Sequence, residues 1–184
     1  MKSNFLGIHE VGQFNVISGS VEVTDPCYSP GDGVIVENVT NGEYVVFTNI
    51  LDKGDWGARN AELYAINKQY FLDNKVDKED INSLDWEPQA DYFGVDSGQG
   101  GIFDTNKYPG GEEEVFYDKC CNITLEGLGA GSVDFGAVSS SGFGDGGYHF
   151  ELLFDDDNEQ VVGVKIIFLG DDDEEDDDFS DEEE

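Results

Sequence analysis

A single arginine, Arg59, and nine basic residues in all face 42 aspartates and glutamates across 184 residues. The formal charge is −33. Nucleic-acid backbones are gripped by Lys and Arg that displace counterions, so a nucleic acid is excluded as a partner, and an anionic membrane surface with it. Basic proteins, divalent cations and small polar ligands stay open. Cysteine is scarce as well. Cys27, Cys120 and Cys121 are odd in number, two are adjacent, and no C-x-x-C occurs, a poor start for a disulfide framework or a structural zinc. No apolar run approaches the ~18 residues of a membrane span. The opening MKSNFLGIHE reaches Glu10 before an apolar signal region forms. A reduced, cytoplasmic setting is expected, in which the sequons at Asn38 and Asn122 are accidental.

Signatures of catalysis are also missing. No G-x-S-x-G accompanies the serines Ser139 to Ser141, and His149 alternates with Tyr148 and Phe150 as a strand-face residue would. Gly142, Gly144 and Gly147 satisfy G-x-G-x-x-G, but they lead into the strand-like Tyr148 to Phe154 where a dinucleotide site needs a helix. Asp155 to Gln160 starts like a calcium loop, yet Gln160 stands where Gly is required and Ile166 where Glu is required.

What the chain does have is acid, glycine and alternation. Residues 171–184 read DDDEEDDDFSDEEE, with twelve acids and no base. Like charges at this density repel and leave little to bury, so a disordered acidic tail is expected there, following one β-rich domain over residues 1–170. Within the tail, Ser180 precedes four acids, the context an acid-directed serine kinase uses. Removing the twelve charges still leaves the body at about −21.

Period-two patterns dominate the body. Phe14 and Val16, then Val21 and Val23, flank Ser18-Gly19-Ser20, which reads as a hairpin. Val34 to Val39 and Glu43 to Thr48 flank Asn41-Gly42, a second hairpin signal. Tyr148 to Phe154 and Val162 to Phe168 alternate around a polar turn, forming a third. Asp77 to Leu84 reads as a short helix, and Val115 to Leu125 fits helix or strand. With 24 glycines, the expected fold is mainly β, an antiparallel sandwich or curled sheet with one or two short helices.

Three Asp/Gly segments stand out: Thr24-Asp25-Pro26-Cys27, GVDSGQGGIFD over residues 94–104, and SSSGFGDGGY over residues 139–148. As turns they need no further role, since Gly takes positive φ and Asp bonds neighbouring amides. As a site, they bring Asp25, Asp96, Asp104 and Asp145 to one rim framed by Gly98, Ser141, Gly144 and Gly146. Grouped carboxylates hold a hard divalent cation, calcium, magnesium or manganese, through oxygen ligands. In order and wording the three segments resemble the bacterial family called domain of unknown function 4241, over roughly Val21 to Leu169. The resemblance implies a shared fold and a shared site, and no activity. Gly147-Tyr148-His149 lacks the proline frequent in that family, and the acidic tail lies outside its pattern.

The first expectation is therefore a non-enzymatic binding protein whose Asp/Gly rim takes a divalent cation or small polar ligand. The alternatives are an acidic decoy or chaperone for a basic protein, and a metal-dependent hydrolase in which the same aspartates activate water. Arg59 is expected to stack on Trp56, to pair with a rim aspartate, or to sit in a surface salt bridge.

Overall fold

β-branched and aromatic residues at alternate positions bury one side of a pleated strand, and strands supply most of the regular structure. The computed structural model describes residues 6–157 and 159–170, so the expected tail and Ser180 lie outside the described residues. The strands are β1 (Gly7–Val16), β2 (Ser20–Thr24), β3 (Val34–Glu37), β4 (Gly42–Asp52), β5 (Ala58–Asn67), β6 (Glu87–Val95), β7 (Gln99–Asp104), β8 (Ala130–Val133), β9 (Gly136–Ser140), β10 (Gly146–Phe154) and β11 (Val161–Ile167). Among the described residues, two α-helices, α1 (Lys68–Asp73) and α2 (Glu114–Leu125), and 3-10 turns at Gly54–Trp56 and Lys78–Ser83 complete the order.

The strands form two antiparallel sheets, six-stranded β1-β4-β5-β11-β10-β6 and five-stranded β3-β2-β7-β9-β8. Neither closes into a barrel. Between them lies the main core, where Phe14, Tyr44, Leu63, Phe150 and Ile166 of the first sheet meet Val21, Val23, Ile102 and Ala137 of the second. Each such large side chain contributes roughly 1.5–3 kcal/mol by burial. The outer faces are not bare. Val45, Phe47, Tyr64 and Ile66 pack with Ile81 of the Lys78–Ser83 turn, while Phe103 and Val138 pack with Cys120 of α2. Covering both faces explains the unbroken apolar stretches Tyr44 to Phe47 in β4 and Leu63 to Ile66 in β5: a stretch buried on two sides has no polar face to alternate with.

Only the third expected hairpin forms. β10 and β11 pair antiparallel with Phe150 opposite Ile166 and Leu152 opposite Val164. The other two are corrected. Ser18-Gly19-Ser20 does not fold β1 onto β2; β1 pairs with β4 in one sheet and β2 with β3 and β7 in the other. Asn41-Gly42 likewise joins β3 of one sheet to β4 of the other. A strand that turns back beside its predecessor and one that crosses to the facing sheet both aim their apolar residues at the same core, so alternation does not distinguish them. The two corners clip each other, with the Gly19 amide donating to Asn41 Oδ1 at 2.7 Å.

The Asp77 to Leu84 segment forms the 3-10 turn Lys78–Ser83, without a side-chain cap from Asp77. The Val115 segment is helix. Glu113 caps α2, its carboxylate accepting from the amides of Val115 (3.4 Å) and Phe116 (2.9 Å).

Candidate functional site

The three Asp/Gly segments share one structural duty: each carries the chain across, or locks, a passage between sheets. β6 hands over to β7 through Asp96-Ser97-Gly98, and β9 hands over to β10 through residues 141–145. Asp25 closes the end of β2 beside the first of these.

Asp25 is fully buried. Its Oδ2 accepts from the amides of Asp96 and Ser97, both at 2.7 Å, and its Oδ1 accepts from Ser97 Oγ at 2.6 Å and the Cys27 amide at 2.8 Å. Four donors converge on one carboxylate, an arrangement that offsets the cost of burying its charge. Pro26 has no amide to offer and pushes Asp25 toward extended backbone. The neighbouring crossing joins the same end, because the Ser141 amide donates to the Gly98 carbonyl at 3.0 Å. Ser141 Oγ and Tyr148 Oη both donate to the Gly144 carbonyl, at 2.8 and 2.6 Å.

So Asp25, Asp96, Gly98, Ser141, Gly144, Asp145 and Gly146 belong to one end of the sandwich. Asp104 does not. It ends β7 and pairs with Val21, whereas Gly101 pairs with Thr24, so Asp104 lies at the far end of that ladder. There its buried carboxylate accepts from the amides of Ile17 (2.6 Å), Ser18 (3.0 Å) and Asn106 (2.9 Å), tying the β1–β2 corner to β7. The expected single rim is thus divided, with about 13 Å of strand between Asp25 and the Val21–Asp104 pair at ~3.3 Å per residue. Asp96 is exposed and accepts from Tyr28 Oη at 2.6 Å; Asp145 is exposed in the loop before β10. Among the described residues, no three His, Cys, Asp or Glu side chains are grouped as a metal would need.

Sequence reasoning missed Glu22. It is fully buried, accepting from the Gly31 and Gly33 amides (2.8–3.0 Å) and so folding the loop after Asp25 back on β2. Its signal was a charged residue within the apolar run Val21 to Val23. Also missed was a cluster beside Asp25. Gln99, 4% exposed, donates through Nε2 to Cys121 Sγ at 3.5 Å, and its Oε1 is buried without a hydrogen-bond partner among the described atoms. Burial pushes the Cys27 thiol up to about 12, with the hydrogen bond to Asp25 and its charge adding to the effect. Such a thiol stays protonated and is a poor nucleophile at neutral pH. Cys120 is also pushed up to about 12, first by burial.

A different concavity lies between β1, α2 and the β8–β9 turn, a groove of ≈ 510 Å³. Gln13, Asn15, Asn122, Ser132 and Lys119 supply polar groups, and Phe135 an aromatic wall. Phe135 has φ 65°, where a bulky side chain is rare, and Lys107 Nζ lies 5.2 Å from its ring centre.

Arg59 takes a course not foreseen: its Nε donates to the Trp56 carbonyl at 2.9 Å, bracing the β4–β5 turn. No helix among the described residues is long and apolar enough to cross a membrane. No family model, curated protein or solved structure matches the chain.

Proposed function

We propose that this chain is a cytoplasmic, non-enzymatic binding protein whose partner is a basic protein. One observation supports the reading above others: the fate of the acids. Glu22, Asp25 and Asp104 are used inside the fold by backbone amides, and Lys165, the one deeply buried cation among the described residues, is taken by Glu62 and Glu151. A formal charge of −33 then leaves a surface dominated by carboxylates. A surface of one sign steers an oppositely charged partner and loses its grip as salt screens it. Titrating lysozyme against the full chain at about 0.05 and 0.3 M salt tests this. Strong binding at low salt that collapses at high salt is expected; no binding at low salt ends the reading. Membership of the domain of unknown function 4241 family belongs to the same proposal, supported by the meeting of Asp25, the Asp96 to Gly98 turn and the Ser141 loop at one end of the sandwich.

The groove favours a second reading, a small polar ligand. Carboxamides donate and accept at once, and a volume near 500 Å³ lies in the range of ligand pockets. The divalent-cation version narrows to Asp96 and Asp145, the aspartates of the expected set that are exposed. Thermal unfolding with calcium, magnesium or manganese, using protein ending at Gly170, tests it, since a ligand at about 100 times its Kd adds ~2.7 kcal/mol.

A further inference from the structure

Two aromatic rings are held out in solvent at the same end of the sandwich, on turns built to present them. Trp56 is 63% exposed and Phe143 is 48% exposed. Their ring centres are 5.5 Å apart with planes at 61°, an edge-to-face pair. Trp56 comes from the turn joining β4 to β5, and Phe143 from the SSSGFGDGGY loop joining β9 to β10. Left-handed glycines bracket both: Gly54 (φ 65°) and Gly57 (φ 81°) around one, Gly142 (φ 74°) and Gly144 (φ 114°) around the other. Gly142 is also pinned by space, because a Cβ there would come within 2.9 Å of Leu169 Cγ. Arg59 braces the Trp56 carbonyl, as described above. An exposed pair on braced turns, belonging to none of the core clusters, serves recognition better than stability.

Resting on the basic-partner reading, we propose that the Trp56–Phe143 pair is the docking point for a Lys/Arg-rich segment of that partner. The charge around the pair selects this occupant. Asp52, Asp55 and Asp145 beside the two rings are exposed, whereas the nearby cations Lys53 and Arg59 are half-buried and Arg59 is engaged by the Trp56 carbonyl, so the balance at the pair is acidic. A cation over an indole ring is attracted by its π face, and carboxylates beside the ring complete its salt bridge. A second copy of the chain is disfavoured, since docking it would bring −33 against −33.

Tryptophan fluorescence reads this directly. Trp86, the only other tryptophan, donates to the Ile81 carbonyl and is half-buried, so a shift in emission reports chiefly on Trp56. An alternating Lys–Arg peptide is titrated into the full chain and into a Trp56→Ala/Phe143→Ser double variant, the variant followed by calorimetry, at about 0.05 and 0.3 M salt. Both proteins bind at low salt; at high salt the variant is weaker by about 10- to 30-fold, the ring contacts being less screened than the long-range charges. Wild-type emission moves to shorter wavelength on binding. Equal affinities at both salts, with unmoved emission, overturn the docking point while leaving the basic-partner reading standing. Failure of the wild type to bind at low salt removes both. Concentration-dependent dimerisation that the double variant abolishes assigns the pair to self-association and overturns the proposal. Circular dichroism checks that the variant is folded.

Discussion

Asp25 shows how little freedom a buried carboxylate has once its donors are counted. Each of its two oxygens accepts two hydrogen bonds. In Asp25→Asn one oxygen becomes an amide that faces two donors, whichever way the side chain turns. We expect the substitution to cost about 3 kcal/mol, read as a lower urea midpoint at unchanged slope. Asp104→Asn is milder, because the amide can turn toward the single donor, Asn106, and leave the oxygen for Ile17 and Ser18. The thiols add a pH dependence. Cys27 and Cys120 are raised from the ordinary 9.0 to about 12 when folded, both chiefly by burial. A raised folded value favours the protonated form, so the contribution is complete below pH 9 and is lost as pH climbs toward 12. Thermal unfolding across that window should show stability falling in wild type and falling less in Cys27→Ala/Cys120→Ala. An equal fall in both would place the alkaline transition elsewhere, in the raised tyrosines Tyr44 and Tyr64 among others.

At the scale of elements, legibility followed the physics of each signal. The β10–β11 hairpin could be read because its polar turn and two alternating runs fix a register that one slipped residue would turn inside out. The corners at Gly19 and Gly42 could not, since crossing and returning strands bury the same residues. β5 was hidden because both of its faces are covered, and α1, only six residues long, carries little periodicity. The Asp/Gly segments were visible, but alike in composition: nothing local tells an aspartate that locks a corner from one that offers its oxygens to a ligand. Lys165 was harder still, a charge inside the strand Val161–Ile167 that reads as a polar-face position. It is only 7% exposed, lies 3.5 Å from Glu62 and from Glu151, and donates to Asn82 Oδ1 at 2.6 Å, fastening the Lys78–Ser83 turn to the sheet. Lys165→Met keeps the stem but removes the cation from buried Glu62 and half-buried Glu151, so it should cost about 3 kcal/mol. Adding Glu62→Gln should restore part of that loss in a double-mutant cycle; strict additivity would deny the coupling.

For the whole molecule the question is what the acidic run does to the body that carries it. The sandwich is already closed before residue 171. Phe168 and Leu169 are buried, and both of their amides donate to the Ala61 carbonyl, at 2.8 and 3.1 Å, sealing the end of β5. Removing residues 171–184 therefore takes away twelve like charges and no core contact described here. Because a large net charge of one sign opposes compaction, the shortened protein should melt at the same temperature as the full chain at about 0.5 M salt, and higher than it at about 0.02 M, where screening is weak. Cutting three residues earlier, after Ile167, is a different operation: it deletes Phe168, which packs edge-to-face on Tyr148 at 5.4 Å and against Gly100. With Leu169 and both bonds to Ala61 lost as well, that cut should cost at least about 3–5 kcal/mol at any salt concentration, the range for a buried aromatic ring alone. Differential scanning calorimetry of the three lengths at both salts separates the two effects. A full chain that melts higher than the Gly170 form at low salt would mean that the acidic run holds on to the body instead of repelling it.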